Sequence, residues 1–118
     1  MTSFWPEMEY RKHSFTKEET AEFIRAYSVP GAVKCSFKWF GSFSQDVKDI
    51  PELAKNKLNM PVLALAGEHH TASFLEDHVK LVANNVKAVT VTDAMHWLVQ
   101  EQTERVKKAL LDFFVDER

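Results

Sequence analysis

Apolar positions follow two different patterns along this chain, and the change between them divides it. From Met60 onward the pattern is regular. Val62-Leu63-Ala64-Leu65-Ala66 is an unbroken apolar run, which predicts a short strand buried on both faces, as in a parallel sheet. Gly67-Glu68-His69-His70-Thr71 ends the run. Leu75, His78, Val79 and Val82 then recur at i, i+3, i+4 and i+7, the period of an amphipathic helix. Ser73-Phe74-Leu75-Glu76 has the form of a capping box at its start. Asn84-Asn85 is the expected stop, since Asn tolerates the left-handed cap. The β-branched run Ala88-Val89-Thr90-Val91, within residues 87–92, predicts the next strand. Val106, Ala109, Leu110, Phe113 and Phe114 fall on one face of a last helix over Thr103–Val115. The order is β-α-β-α, with a crossover expected to be right-handed.

Before Asn59 the chain reads as helical and aromatic. Thr16-Lys17-Glu18-Glu19 is a capping box, followed by a helix with Phe23, Ile24 and Tyr27 on one face. It must stop before Pro30, because the residue preceding a proline avoids helical angles. A second helix, about Ala32 to Ser42, carries Val33, Phe37, Trp39 and Phe40, with Phe43 just beyond. Core packing is the default for so many aromatics, and the wall of an apolar pocket is the alternative. Residues 44–59 read as a polar loop holding Asp46 and Asp49, with a short helix starting at Ile50-Pro51-Glu52-Leu53. Residues 1–14 hold Phe4, Trp5, Met8 and Tyr10 without a clear period and read as a loop or short helix laid on something apolar. The expected division is therefore 1–59 and 60–118.

Composition narrows the function classes. The 118 residues suggest one domain, and 45% hydrophobic with 27% charged residues allows a packed core. A net charge of −2 argues against nucleic acid as a partner. No apolar run approaches the roughly 18 residues that a membrane span requires, and no basic-then-apolar leader is visible. Cys35 is the single cysteine, which excludes an internal disulfide and fits a cytoplasmic location. The only glycines are Gly31, Gly41 and Gly67, so no glycine loop cradles a phosphate and no cofactor is called for.

The candidate chemistry lies in Asp93-Ala94-Met95-His96-Trp97-Leu98. A histidine between the C-terminal end of a strand and a helix sits where open α/β sheets place their sites, and imidazole serves as a base near neutral pH. The bland reading is a partly buried His96 packed on Trp97. A metal site built from Glu68, His69, His70 and His78 is a further reading. It is disfavoured because adjacent histidines on extended backbone point apart and no helical His-Glu pattern is present.

The stretches Met60–Glu68 and Asp93–Leu98, the latter followed by Gln100-Glu101, resemble the C-terminal end of α/β-hydrolase-fold enzymes of the epoxide-hydrolase and haloalkane-dehalogenase branch. Tyr27–Ala32 and Phe37–Asp46 are similar to the end of that branch's helical cap. The resemblance covers about Thr16 to Phe114 and implies a partial α/β-hydrolase fold, with a short parallel sheet preceded by cap-like helices. It implies that His96 is the base that activates water against a covalent ester intermediate, with Met95 where glycine is common. It offers Glu68 as the nearest acid to orient that base. Trp39, Phe40, Phe43 and Trp97 are the candidate residues for lining an apolar crevice that binds a substrate or small ligand. Phe40 stands where epoxide hydrolases have a tyrosine that holds the epoxide oxygen, and phenylalanine has no such donor.

The family's nucleophile on a sharp turn after a strand, and its oxyanion-hole loop, are expected to be missing from these residues. The expectation is thus a hydrolase-like piece that is not a complete catalyst alone and works with a complementing chain. The alternative is a non-catalytic module that self-associates, most simply as a homodimer, and binds a small apolar ligand between subunits.

Overall fold

The computed structural model describes residues 8–116; Phe4 and Trp5 lie outside the described residues. The elements are α1 (Lys17–Tyr27), α2 (Ala32–Phe40), α3 (Phe43–Leu53), β1 (Leu58–Gly67), α4 (Leu75–Lys80), β2 (Ala83–Val91), α5 (Leu98–Glu101) and α6 (Thr103–Asp116). They form two compact units. One is Phe15–Lys55; the other runs from Asn56 onward and takes in the segment that ends at Ser14.

In the helical unit, α1 begins as its capping box requires. The Glu19 amide donates to Thr16 Oγ1 at 3.1 Å, and the Thr16 amide donates to the Glu19 carboxylate at 2.8 Å, an arrangement that stabilises the helix by about 1 kcal/mol. The helix ends at Ser28, ahead of Pro30. Gly31 then turns the chain with φ 86°, a left-handed conformation suited to glycine, and α2 begins. The polar loop expected after it is instead α3, so Asp46 and Asp49 stand on a helix. The signal for α3 was Phe43, Val47 and Ile50 at i, i+4 and i+7, outweighed in reading by the polar residues between them. Pro51 lies in the last turn of this helix.

In the strand unit, β1 and β2 pair in parallel, with Ala64 opposite Ala88, Leu65 opposite Val89 and Gly67 opposite Val91. With α4 between them, this is the β-α-β unit predicted, and α6 follows. Among the described residues the sheet has these two strands. Pairing is irregular between Leu58 and Pro61, where proline has no N–H for the ladder. Burial on both faces holds only at the C-terminal half of β1. Ala64, Ala66 and Gly67 are buried, while Leu58, Asn59 and Met60 are exposed. On one face Leu65 packs against Val91, Ala94 and Val106, with Leu98 beside them. On the other, Ala64, Ala66, Ala88 and Thr90 line a shallow recess with Leu75 of α4.

Helix α4 is shorter than its apolar period suggested, and the Ser73 capping box is not made; Phe74 holds the N-cap position without a side-chain bond. Backbone acceptors replace the cap. His70 and Ala72 amides donate to the Gly67 carbonyl at 3.0 and 3.3 Å, and the Leu75 amide donates to that of Thr71 at 2.9 Å. Asn84 and Asn85 do not end a helix but lie in β2, where Asn84 Nδ2 donates to Asn59 Oδ1 of β1 at 2.8 Å.

The C-terminal end of β1 fixes what lies above the sheet. The Glu68 amide donates to the Val91 carbonyl at 3.0 Å, and the His69 amide to that of Ala94 at 3.1 Å. These bonds draw the loop after β2 onto Gly67. A Cβ at Gly67 would run into the Met95 carbonyl and come within 2.8 Å of the Ala94 carbonyl oxygen. Both obstacles are backbone, so they cannot swing aside. Gly67→Ala is therefore expected to destabilise the chain by about 2 kcal/mol, read as a lower midpoint in urea unfolding; an unchanged midpoint would show that the loop yields freely.

Candidate functional site

The site is the end of the sheet where β1 and β2 both finish. After Val91 the chain turns at Asp93, whose φ of 54° is a left-handed value that Asp tolerates. Several groups secure that turn. The Asp93 amide donates to the Glu68 carboxylate at 3.1 Å, and its carbonyl accepts from Gln102 Nε2 at 3.0 Å. Arg105 Nη1 donates to the Thr92 carbonyl at 3.2 Å. Gln102 is buried and Ala94 is fully so. The turn thus delivers Met95-His96-Trp97 to the lip of the sheet, immediately before α5.

His96 stands among aromatic rings. Its ring meets His70 edge-on with centroids 5.0 Å apart and meets Trp97 edge-on at 4.9 Å. Partial burial pushes the His96 pKa below its ordinary 6.5, the nearby His70 pushes the same way, and Glu101 opposes both. The imidazole is therefore held neutral at pH 7, with a lone pair to accept a proton. His69 stacks flat on Tyr10 at 4.1 Å, which lays the segment before Ser14 over the first loop.

The remaining predicted site residues divide between the units. Glu68 is at the strand end, with its carboxylate on the Asp93 amide and 3.6 Å from His69 Nε2. Trp97 is beside His96. Trp39, Phe40 and Phe43 are brought together within the helical unit, where all three pairs meet edge-on at 5.3–5.6 Å. Core packing does not claim them in this chain: Trp39 is 66% exposed, Phe40 54% and Phe43 47%. The four candidate metal ligands do not converge. His78 packs on Phe74, and among the described residues no three His, Cys, Asp or Glu side chains are placed to hold a metal ion.

Sequence reading assigned no role to Glu101. It is 4% exposed, and its carboxylate accepts from the amides of Tyr10, Arg11, Met95 and Trp97 at 2.8–3.3 Å. Its convergence of donors is not legible locally, because two of the four lie about ninety residues away.

Comparison with known proteins bears on this arrangement directly. A soluble epoxide hydrolase from Corynebacterium sp. (strain C12) is 28% identical over 106 residues, which is 89% of this chain and 36% of that enzyme. The epoxide hydrolase CorEH, solved without ligand, superposes with a TM-score of 0.85 at 27% identity over 95% of this chain and 39% of its own. The chain carries part of an epoxide-hydrolase-like α/β-hydrolase fold. The solved structure of aCif-D158S agrees, with a TM-score of 0.82 and 30% identity over 94% of this chain and 36% of its own. Cfl2 wild-type from Burkholderia cenocepacia gives a TM-score of 0.84 at 24% identity, over 94% of this chain and 38% of its own, a likeness of fold alone. No family model matches the chain. The hydrolase-like chain spans just over a third of the curated relative's length. Among its described residues no helix is long and apolar enough to cross a membrane.

The lowered His96 pKa has a definite consequence for stability. Between the folded value and 6.5 the unfolded chain binds more protons at this group than the folded chain does. The contribution of neutral His96 is thus full above pH 6.5 and is lost as pH falls through the lower folded value. A proton-NMR titration is expected to give His96 a midpoint below 6.5, and His70→Ala should raise it by removing a like charge. A His96 midpoint at or above 6.5 would contradict the electrostatic account.

Proposed function

We propose that this chain supplies the base-bearing part of an epoxide-hydrolase-type site. The observation that carries the reading is His96, neutral at pH 7 and fixed at the C-terminal end of a parallel β-α-β unit, in a chain similar to a soluble epoxide hydrolase over 89% of its length. In this reading His96 removes a proton from water, and the water attacks an ester formed between the substrate and a nucleophilic carboxylate. That carboxylate comes from polypeptide outside these 118 residues, so these residues alone do not turn over an epoxide. Glu68 is the nearest acid for orienting the base. Trp97 supplies apolar surface beside His96, and Trp39, Phe40 and Phe43 form an exposed apolar cluster within the helical unit. The setting is the cytoplasm, which suits an exposed free Cys35.

A second reading is a non-catalytic module that self-associates as a homodimer and binds a small apolar ligand. The exposed aromatics of α2 and α3 favour it, as does a sheet in which each described strand has one neighbour. Apolar surface and unpaired strand edges of this kind call for a cover. Size-exclusion chromatography with light scattering tests it: twice the mass of one chain supports this reading, and a monomer at high concentration removes it.

The hydrolase reading is tested by replacing the matched stretch of the Corynebacterium enzyme with residues 8–116 of this chain. The chimera is expected to hydrolyse a styrene-oxide-type epoxide, and His96→Ala within it to lower kcat by a factor on the order of 100 to 10,000. The 118-residue chain alone is expected to show no turnover. A chimera as active with His96→Ala as without it would remove the base assignment.

A further inference from the structure

We infer that Glu101 is a positioning residue for His96, tying the base loop to the segment before Ser14 through one buried carboxylate. Oε2 accepts from the Tyr10 amide at 2.8 Å and the Arg11 amide at 3.2 Å. Oε1 accepts from the Trp97 amide at 3.1 Å and the Met95 amide at 3.2 Å, and the Met95 amide is shared with Oε2 at 3.3 Å. The intervening His96 amide donates to the Met8 carbonyl at 3.3 Å. Three consecutive amides of the base loop are therefore fixed, two by Glu101 and one by the segment that Glu101 itself holds.

The chemistry suits a carboxylate and little else. Two oxygens offer about four acceptor sites and no donor, so they satisfy four converging N–H groups. An amide side chain would turn two donors toward those same groups, and a buried unsatisfied donor is costly. The bonds are charge-assisted and so stronger than neutral ones. The position is also short-range: α5 is four residues long and Glu101 closes it, its own amide donating to the Trp97 carbonyl at 2.9 Å. Glu101 thus grips the residues on both sides of His96 while touching the end of its own turn. Met8–Arg11 acts as a strap, and its attachment is completed by Tyr10 stacked on His69.

This inference rests on the proposed reading of His96 as a base, but its main readout needs no substrate. In Glu101→Gln, amide hydrogen exchange at Tyr10, Arg11, Met95 and Trp97 is expected to accelerate on the order of tenfold or more, with amides of β1 and α1 unchanged. The His96 ring signals should shift, and its titration midpoint should fall further, because the neighbour that raises it has gone. Glu101→Asp keeps the charge and should recover part of the protection; it reads the same quantities if Glu101→Gln does not fold. In the chimera, Glu101→Gln is expected to reduce kcat on the order of tenfold or more with little change in KM. Wild-type exchange at Met95 and Trp97 with an unmoved His96 overturns the inference. Uniform acceleration over all amides with an unmoved His96 does so too, since it marks a general stabiliser. An inactive parent chimera strikes only the base reading and leaves these spectra to decide on Glu101.

Discussion

The alignment of Gly67 with Val91 in a parallel pair is what everything above the sheet depends on. Parallel strands finish on the same side, so both following loops leave from one edge. The ladder continues past the strands through the amides of Glu68 and His69, which reach the carbonyls of Val91 and Ala94. Only a residue without a side chain lets the Ala94 and Met95 carbonyls approach so closely. A slip of one residue would exchange the faces of the strand and turn Leu65 away from Val106. Core packing and the height of the histidine loop are therefore set by the same register.

The charges around the site serve geometry before chemistry. Glu68 and Glu101 both accept backbone amides, the former at the Asp93 turn and the latter across the His96 loop. Their carboxylates satisfy N–H groups that the irregular loop cannot pair by itself. The histidine between them stays uncharged because partial burial and a second imidazole outweigh the opposing pull of Glu101. A cationic ring is disfavoured there, and a neutral one retains its lone pair.

What could be read from the sequence was what short-range rules decide. The Thr16 box and the stop before Pro30 are local, and both stand as expected. The apolar run at Val62–Ala66 announced a parallel strand because continuous burial is rare elsewhere. Rules of the same kind failed where tertiary bonds competed. Ser73 lost its capping role to backbone carbonyls of the turn, and Asn84 paired with Asn59 across the sheet instead of closing α4. Helix α3 was hidden by its polar residues although Phe43, Val47 and Ile50 kept the period. His96 was visible as a histidine at a strand end. Glu101 was not, because two of its four donors, the Tyr10 and Arg11 amides, lie about ninety residues from it.

The irregular pairing at Pro61 bears on how the sheet opens. Its ladder is interrupted far from the histidine and continuous from Val62 to Gly67. The far end is also the exposed end of β1, and the near end is capped by the buried Ala94. Opening fluctuations start where bonds are missing and water has access. Fraying of this two-stranded ribbon is thus favoured at the extremity remote from His96, whose loop leaves from the continuously paired end.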